Sequence, residues 1–425
     1  MAIDTPAKLA ILGAGPIGLE AALYARFLGY DVVVFDEGKV AASVHRWGHV
    51  RMFTPFAMNR SPLGLAAIQA QDESYQPPAD DELLTGREWA DRYLLPLART
   101  DLLADHLRPN TRVLHVGKEE LLKCDLPGHE DRGDWSFRIL VRNPAGEERI
   151  ELADGVLDCT GVFGQPSPLG HGGIPAVGEA ALRDQIEYGL PDILGQDRDR
   201  YAGKHTLLIG AGNSAATNAV ALAQLARDAS GTRVTWITRR EGPAGSDGPI
   251  VSIENDRLPE RAALARAANR LTSDPASGVT YWPASVVEKL GGSGQAATPD
   301  ALEVELSGRH AGTFRFDRVI ANVGFRPDRS LHRELQIHEC YATEGPMKLA
   351  AALLPAAGGD CLDQRPCGPQ SLVNPEPNFY LLGAKSYGRR SDFLFSVGLA
   401  QIREVFTILG DRSTLDLYAN EKLPR

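Results

Sequence analysis

Apolar positions along this chain follow two rhythms that recur together. Short β-branched runs, KLAIL at 8–12 and DVVVF at 31–35, bracket a helical stretch, LEAALYARFLGY. Strand, helix and strand in that order predict a βαβ unit at the very start. The same order returns at residue 205, where HTLLI leads into small residues and RVTWITRR is the returning strand. Between the two, TGREWADRYLLPLARTDLLADHL predicts one or two helices with Thr85 as N-cap. TRVLHVGKEELLK, WSFRILVRN and ERIELADGVLDCTG predict strands, and the PAG turn in VRNPAGEER makes them a hairpin or meander. VTYWPASVVEKL and FRFDRVIANVGFRP add strands around a Gly/Ser-rich turn, LGGSGQAATP. Residues 161–203 read as loop-rich, 341–377 as an ordered excursion with many Pro, Gly and Cys, NFYLLGAKSYG as a last strand and turn, and FLFSVGLAQIREVFTIL as an amphipathic final helix. The pattern predicts an α/β fold in which a parallel sheet occurs twice.

Composition narrows the partners more than the fold. The 425 residues suffice for two or three domains. With 45 Lys and Arg against 55 Asp and Glu, the formal charge is −10, which argues against nucleic acid or an anionic membrane. No apolar run reaches the length of a membrane span, and the N-terminus lacks the pattern of a secretory signal. The five cysteines, Cys124, Cys159, Cys340, Cys361 and Cys367, form no CxxC and no metal-ligand spacing. The expectation is a cytoplasmic protein without a metal, with its oligomeric state open, a homodimer included.

The chemistry lies in the two glycine turns. Gly13-Ala14-Gly15-Pro16-Ile17-Gly18 fills a three-glycine dinucleotide pattern between strand and helix. Gly13 permits the tight turn, Gly15 lets backbone approach a pyrophosphate, and Gly18 lets helix and strand pack closely. Asp36, followed by Glu37, ends the next strand, where an acid hydrogen-bonds a free adenosine ribose. Gly210-Ala211-Gly212-Asn213-Ser214-Ala215 keeps two glycines and replaces the third by alanine. Its following strand ends in Arg239-Arg240, and a guanidinium there matches a 2′-phosphate. One turn thus suits a nucleotide with a bare ribose, and the other suits NADPH over NADH.

On GAGPIG with Asp36, DCTG at 158–161, GAGNSA with WITRR, ANVGFRPD at 321–328 and LLGAKSYG, the chain resembles flavoproteins with two dinucleotide-binding domains. That group includes thioredoxin reductase-like enzymes and class B flavin monooxygenases. The resemblance implies FAD held by a discontinuous domain, residues 1–165 and 326–425, with an NADPH domain inserted at about 200–325. It also implies hydride transfer from NADPH to FAD. Thr160 and Gly161 match the ATG-type crossing segment, Gly324 its counterpart on the return, and Gly383 the glycine that approaches the flavin. Many relatives carry Asp directly after that last glycine, whereas this chain has Ala384-Lys385.

Three fates are open to the reduced flavin. A CxxC disulfide acceptor is excluded, since no CxxC exists. Cys361 and Cys367 read first as ordinary loop thiols. Monooxygenase-like oxidation of a small organic substrate is the favoured expectation, with the segment HRWGHVRMFTP near the flavin. Trp47, His49 and Arg51 are then the candidate catalytic residues, and Trp47 also a cofactor contact. The FxGxxxHxxx(F/W/Y) signature of class B monooxygenases is missing before the second turn, where His171 sits out of place. NADPH-dependent reduction of a small molecule is the alternative, and a flavin-bound redox sensor or partner-binding protein a further one. Glu254, Asn255 and Asp256 precede a helix and read as capping residues, with nicotinamide or substrate contact as the alternative.

Overall fold

A computed structural model describes residues 3–242, 248–292, 301–356 and 360–419, so part of the turn LGGSGQAATP lies outside the described residues. The chain divides into two compact units, Met1–Gln165 with Phe325–Arg425, and Pro166–Gly324. No helix among the described residues is long and apolar enough to cross a membrane.

In the first unit, β1 (Lys8–Leu12), α1 (Pro16–Phe27) and β2 (Asp31–Phe35) form the expected βαβ unit. The strands are parallel, with Lys8 opposite Asp31 and Leu12 opposite Phe35. Both faces of β1 are covered, which explains its unbroken apolar run. Leu9 and Ile11 join the cluster of Leu19, Leu23 and Phe406, while Ala10 and Leu12 join Val116, Phe137 and Ile139. After the two-residue β3 (Leu107–Arg108) come β4 (Arg112–Lys118), β5 (Phe137–Arg142) and β6 (Glu148–Ala153), an antiparallel meander. β7 (Gly155–Asp158) then runs beside β1, with Asp158 opposite Leu12.

The helical region predicted after Thr85 winds irregularly. Thr85 caps it in a reciprocal capping box with Glu88, but Ala90–Leu94 is a π-turn and Ala104–His106 a 3-10 turn. Pro96 is the physical reason, because it has no N–H for the carbonyl of Arg92. The Tyr75 hydroxyl donates to that carbonyl instead, at 2.6 Å.

The second unit repeats the plan. It comprises β8 (Ile186–Glu187), β9 (His205–Ile209), α2 (Asn213–Asp228), β10 (Arg233–Ile237), α3 (Pro259–Leu271) and β11 (Val279–Trp282). An antiparallel meander follows, β12 (Ser285–Gly292), β13 (Leu302–Gly308) and β14 (Gly312–Phe316), and then β15 (Arg318–Ala321). The parallel sheet has the order β11-β10-β9-β15-β8. Leu207 and Ile209 pack with Val287 and Val304, and Leu208 packs with Ala215, Ala219 and Trp236. β8 lies in the stretch read as loop, since a two-residue strand has no periodicity to detect.

Back in the first unit, β16 (Phe379–Leu381) pairs with β7, and α4 (Phe395–Leu409) covers α1, Phe406 stacking on Tyr24 at 5.0 Å. The order is β16-β7-β1-β2-β3, all parallel. In each sheet the strand before the glycine turn is central, with the βαβ partner on one side and a late strand on the other. The crevice between those neighbours opens at the C-terminal strand ends, where ligands bind in such sheets.

Glu20 is fully buried on α1 and accepts from the Tyr93 hydroxyl of the π-turn at 2.6 Å. Burial pushes its carboxyl up to about 7, against the opposing hydrogen bonds from Tyr93 and Ser61. The folded state therefore holds this proton more tightly than the unfolded chain. Its stabilising contribution is full at low pH and is lost as pH rises towards 7. Glu20→Gln removes the titration. Between about pH 5 and about pH 8 the variant should gain about 2 to 3 kcal/mol on wild type in urea-unfolding free energy. Parallel pH profiles for the two proteins would contradict it.

Candidate functional site

Three turns meet at the C-terminal edge of the first parallel sheet. The first follows β1. Gly13 has φ +101, and a Cβ there would lie 2.7 Å from the Cys159 carbonyl oxygen. Gly18 is as constrained, since its Cβ would fall 1.8 Å from the Gly13 oxygen. Gly15 is different: nothing lies within 4 Å of its Cβ position. It is the extended N-cap of α1, Pro16 opens the helix, and Ile17 is buried behind the turn. The helix N-terminus with its unpaired N–H groups thus faces open space across a residue without a side chain.

Asp36 closes this turn from β2. Its carboxylate accepts from the Ala14 N–H at 2.7 Å and the Gly38 N–H at 2.8 Å. Burial raises its pKa above the ordinary value, against those two bonds. Each carboxylate oxygen keeps an acceptor site, so Asp36 can shape the turn and still take a hydroxyl. Glu37 is exposed and stands 3.7 Å from Arg112.

The second turn follows β7. Asp158 Oδ1 accepts from the Thr160 hydroxyl at 2.7 Å and its N–H at 3.2 Å. Gly161 has φ +69 with nothing near its Cβ position. Burial pushes the Cys159 thiol well above the usual range, which keeps it protonated. The third turn follows β16. Gly383 has φ +71, and a Cβ there would touch Ile17 of the first turn at 3.4 Å. Its N–H donates to Gln401 of α4 at 2.9 Å.

A buried ion pair joins the second and third turns, and sequence reasoning missed it. Lys385 Nζ lies 2.6 Å from Asp158 Oδ2 and 3.0 Å from Thr160 Oγ1, and both charged side chains are 0% exposed. His332 stands 3.8 Å from the same carboxylate and 3.1 Å from Glu339. Burial opposes charge on Asp158, yet Lys385 and His332 outweigh it and hold its pKa well below the usual carboxylate range. Burial likewise opposes charge on His332, but Asp158 and Glu339 raise its pKa. The signal lay in LLGAKSYG, where Ala384-Lys385 follows Gly383 in place of the acid that the resemblance implies.

Trp47, His49 and Arg51 lie on a segment that starts beside the first turn, where the Ala41 N–H donates to the Ala14 oxygen at 3.0 Å. Backbone bonds from Met52, Gly86 and Arg87 to Leu84, Val50 and Gly48 strap it to residues 84–87. The Trp47 ring packs where a Gly86 Cβ would be, and its buried Nε1 has no hydrogen-bond partner among the described residues. No hydrogen bond joins the His49 or Arg51 side chain to the glycine turn among the described residues. Arg51 is exposed.

The second unit has one such turn. Gly210 has φ +137, and its Cβ would lie 2.3 Å from the Asn322 oxygen, whereas Gly212 has nothing within 4 Å. Gly212 and Asn213 are exposed, Ser214 is half-buried, and Ala215 is buried against the sheet. Gly324 also faces open space, at φ +87. Arg239 and Arg240 are exposed beyond β10, on a turn fixed by the Thr238 hydroxyl to the Arg240 oxygen at 2.7 Å. Neither guanidinium has a partner among the described residues. Asp256 does not cap α3, whose N-cap is Leu258. It accepts from the Leu258 N–H at 2.8 Å and pairs with Arg261 at 2.6 Å. No disulfide joins Cys361 and Cys367 among the described residues.

Solved structures share this architecture. A bacillithiol disulfide reductase from Bacillus cereus superposes with a TM-score of 0.61 at 18% identity, over 96% of this chain and 99% of that one. The Erwinia amylovora cadaverine monooxygenase DfoA, bound to FAD, gives 0.63 at 14% identity, over 97% and 96%. Thioredoxin reductase from T. acidophilum gives 0.55 at 17% identity, over 94% and 97%. The chain has their fold. It is the two-dinucleotide-binding-domain fold expected from the glycine turns. No protein-family model matches the sequence, and no curated protein matches it.

The two kinds of glycine separate in stability. Gly15→Val should leave the unfolding free energy within about 1 kcal/mol, because its side chain enters open space. Gly18→Val should lose more than about 3 kcal/mol, because its side chain meets backbone. Chemical denaturation of both checks this, and equal effects would contradict the geometry.

Proposed function

We propose that the protein is an FAD- and NADPH-dependent oxidoreductase, with FAD in the first unit and NADPH in the second. One observation carries the reading. Each unit presents an open glycine at a helix N-terminus, followed in one by Asp36 and in the other by the exposed Arg239 and Arg240, which have no partner among the described residues. FAD, when bound, accepts two electrons from NADPH and delivers them onward.

The residues have distinct tasks. Gly13, Gly15, Pro16, Ile17 and Gly18 shape the pyrophosphate cradle, and Asp36 takes the ribose hydroxyls. Thr160, Gly161 and Gly383 flank the cradle, with Glu37 at its rim. Gly210, Gly212, Asn213, Ser214 and Ala215 form the second cradle, Gly324 borders it, and the two arginines hold the 2′-phosphate. Within this class we favour oxidation of a small organic substrate with oxygen. Cys159 is buried and protonated, no disulfide joins Cys361 to Cys367 among the described residues, and no CxxC exists to take electrons. Trp47, His49 and Arg51, on the strap beside the first turn, then wall the reacting centre, with a cationic side chain balancing developing negative charge.

Anaerobic reduction by NADPH followed by addition of oxygen tests this. A long-lived oxygen adduct in the flavin spectrum is expected. Immediate peroxide release would favour direct reduction of a small molecule, and failure of both NADPH and NADH to reduce the protein would overturn the enzyme reading. Arg239→Ala with Arg240→Ala should raise KM for NADPH about tenfold or more and leave that for NADH unchanged. An equal rise for both nucleotides would contradict the phosphate role.

A further inference from the structure

Asp158 and Lys385 are 227 residues apart in sequence, yet they meet in the interior at the edge where the three turns converge. Asp158 is the last residue of β7, opposite Leu12 of β1 on one side and Leu381 of β16 on the other. Its carboxylate is thus the midpoint between the turn after β1 and the turn after β16. One oxygen holds Thr160 by both its N–H and its hydroxyl. The other receives the Lys385 ammonium, which also donates to the Thr160 hydroxyl. Thr160 itself is exposed, and Gly161 beyond it faces open space. A fully buried charge pair therefore ends in one solvent-facing residue on the cradle wall.

A pair that served the core alone would have no need of this link. Buried ion pairs are weak contributors to stability, because desolvation offsets their attraction. An apolar pair of the same volume would fill the site as well, but would leave the Thr160 N–H and hydroxyl unheld. The charged groups around the pair follow the same design. His332 and Glu339 continue it from the segment after Phe325, and Arg329 pairs with Glu339 at 3.2 Å.

We infer that Lys385 and Asp158 are positioning residues for the flavin, a linked pair that acts through Thr160 to set the cradle wall. This inference rests on the reading that the first unit binds FAD. The pair takes up, from the buried side, the anchoring of the turn after β16, where many relatives have an acid directly after the glycine and this chain has Ala384.

The test is FAD affinity of the full-length apoprotein, read by quenching of flavin fluorescence, together with the visible circular dichroism of the bound flavin. Lys385→Met alone leaves a buried carboxylate without its partner and is expected to lose folding stability. The informative variant is Lys385→Met with Asp158→Val, which removes both charges and stays close to the original volume. It should unfold close to the wild-type temperature yet bind FAD about tenfold more weakly, with an altered dichroism band. Thr160→Ala, at an exposed position, should fold normally and weaken FAD by a similar factor. Combined with the charge-free pair, it should add little, because all three act through one contact. A stable charge-free variant that binds FAD within about twofold of wild type with an unchanged band would overturn the inference. So would fully multiplicative effects of Thr160→Ala and the charge-free pair. Failure of the wild-type chain to bind FAD would instead remove the reading beneath it.

Discussion

The Asp158–Lys385 contact is the constraint on which the first unit's site turns. Three connections, after β1, β7 and β16, must end at one edge of a parallel sheet without filling the space between them. Close packing supplies two of the contacts. Gly13 is pressed on the Cys159 backbone, and Gly383 lies beside the Ile17 side chain. The turns after β7 and β16 are joined by the Leu382 N–H to the Asp158 oxygen at 3.0 Å and by charge, with a lysine and an aspartate fully removed from water. Such a pair is costly to break and geometrically exacting, which suits a wall that must keep its shape. The glycine turn then needs only to leave Gly15 open.

The two units use the same architecture with opposite electrostatics. Each has a five-stranded parallel sheet, an antiparallel three-stranded meander, and a glycine turn on the central strand. Gly13 and Gly210 both have positive φ and both press on the backbone after a late strand, at Cys159 and Asn322. Gly15 and Gly212 are both open. The difference lies at the end of the next strand. Asp36 folds back on its own turn through two backbone N–H groups, whereas Arg239 and Arg240 extend into solvent. The contrast at matching positions is thus one of charge, an acid bound to its own turn against two exposed cations.

Much of this was legible in the residues. Apolar periodicity located both βαβ units, because parallel strands covered on both faces must be continuously apolar. Glycine spacing located both turns, since only glycine fits where a Cβ would meet a carbonyl. Three features were not legible. β8 is two residues long, too short for any period. The helix after Thr85 changes its winding because Pro96 removes one donor, and Tyr75, far off in sequence, repairs the loss. Ala384-Lys385 departs from the expected acid after Gly383, but the partner of Lys385, Asp158, appears only when β7 and β16 are adjacent. For the strap at 47–51, the sequence pointed to a flavin-facing wall. The described contacts are those that tie it to residues 84–87.

The identity and amount of flavin carried by the purified, reconstituted chain tests the central claim most directly. On the proposal that the open Gly15 cradle and Asp36 hold the adenosine half of the cofactor, flavin released by denaturation and separated by chromatography should be FAD, at one per chain. Uptake of FMN in preference to FAD, or no flavin at all, would contradict it.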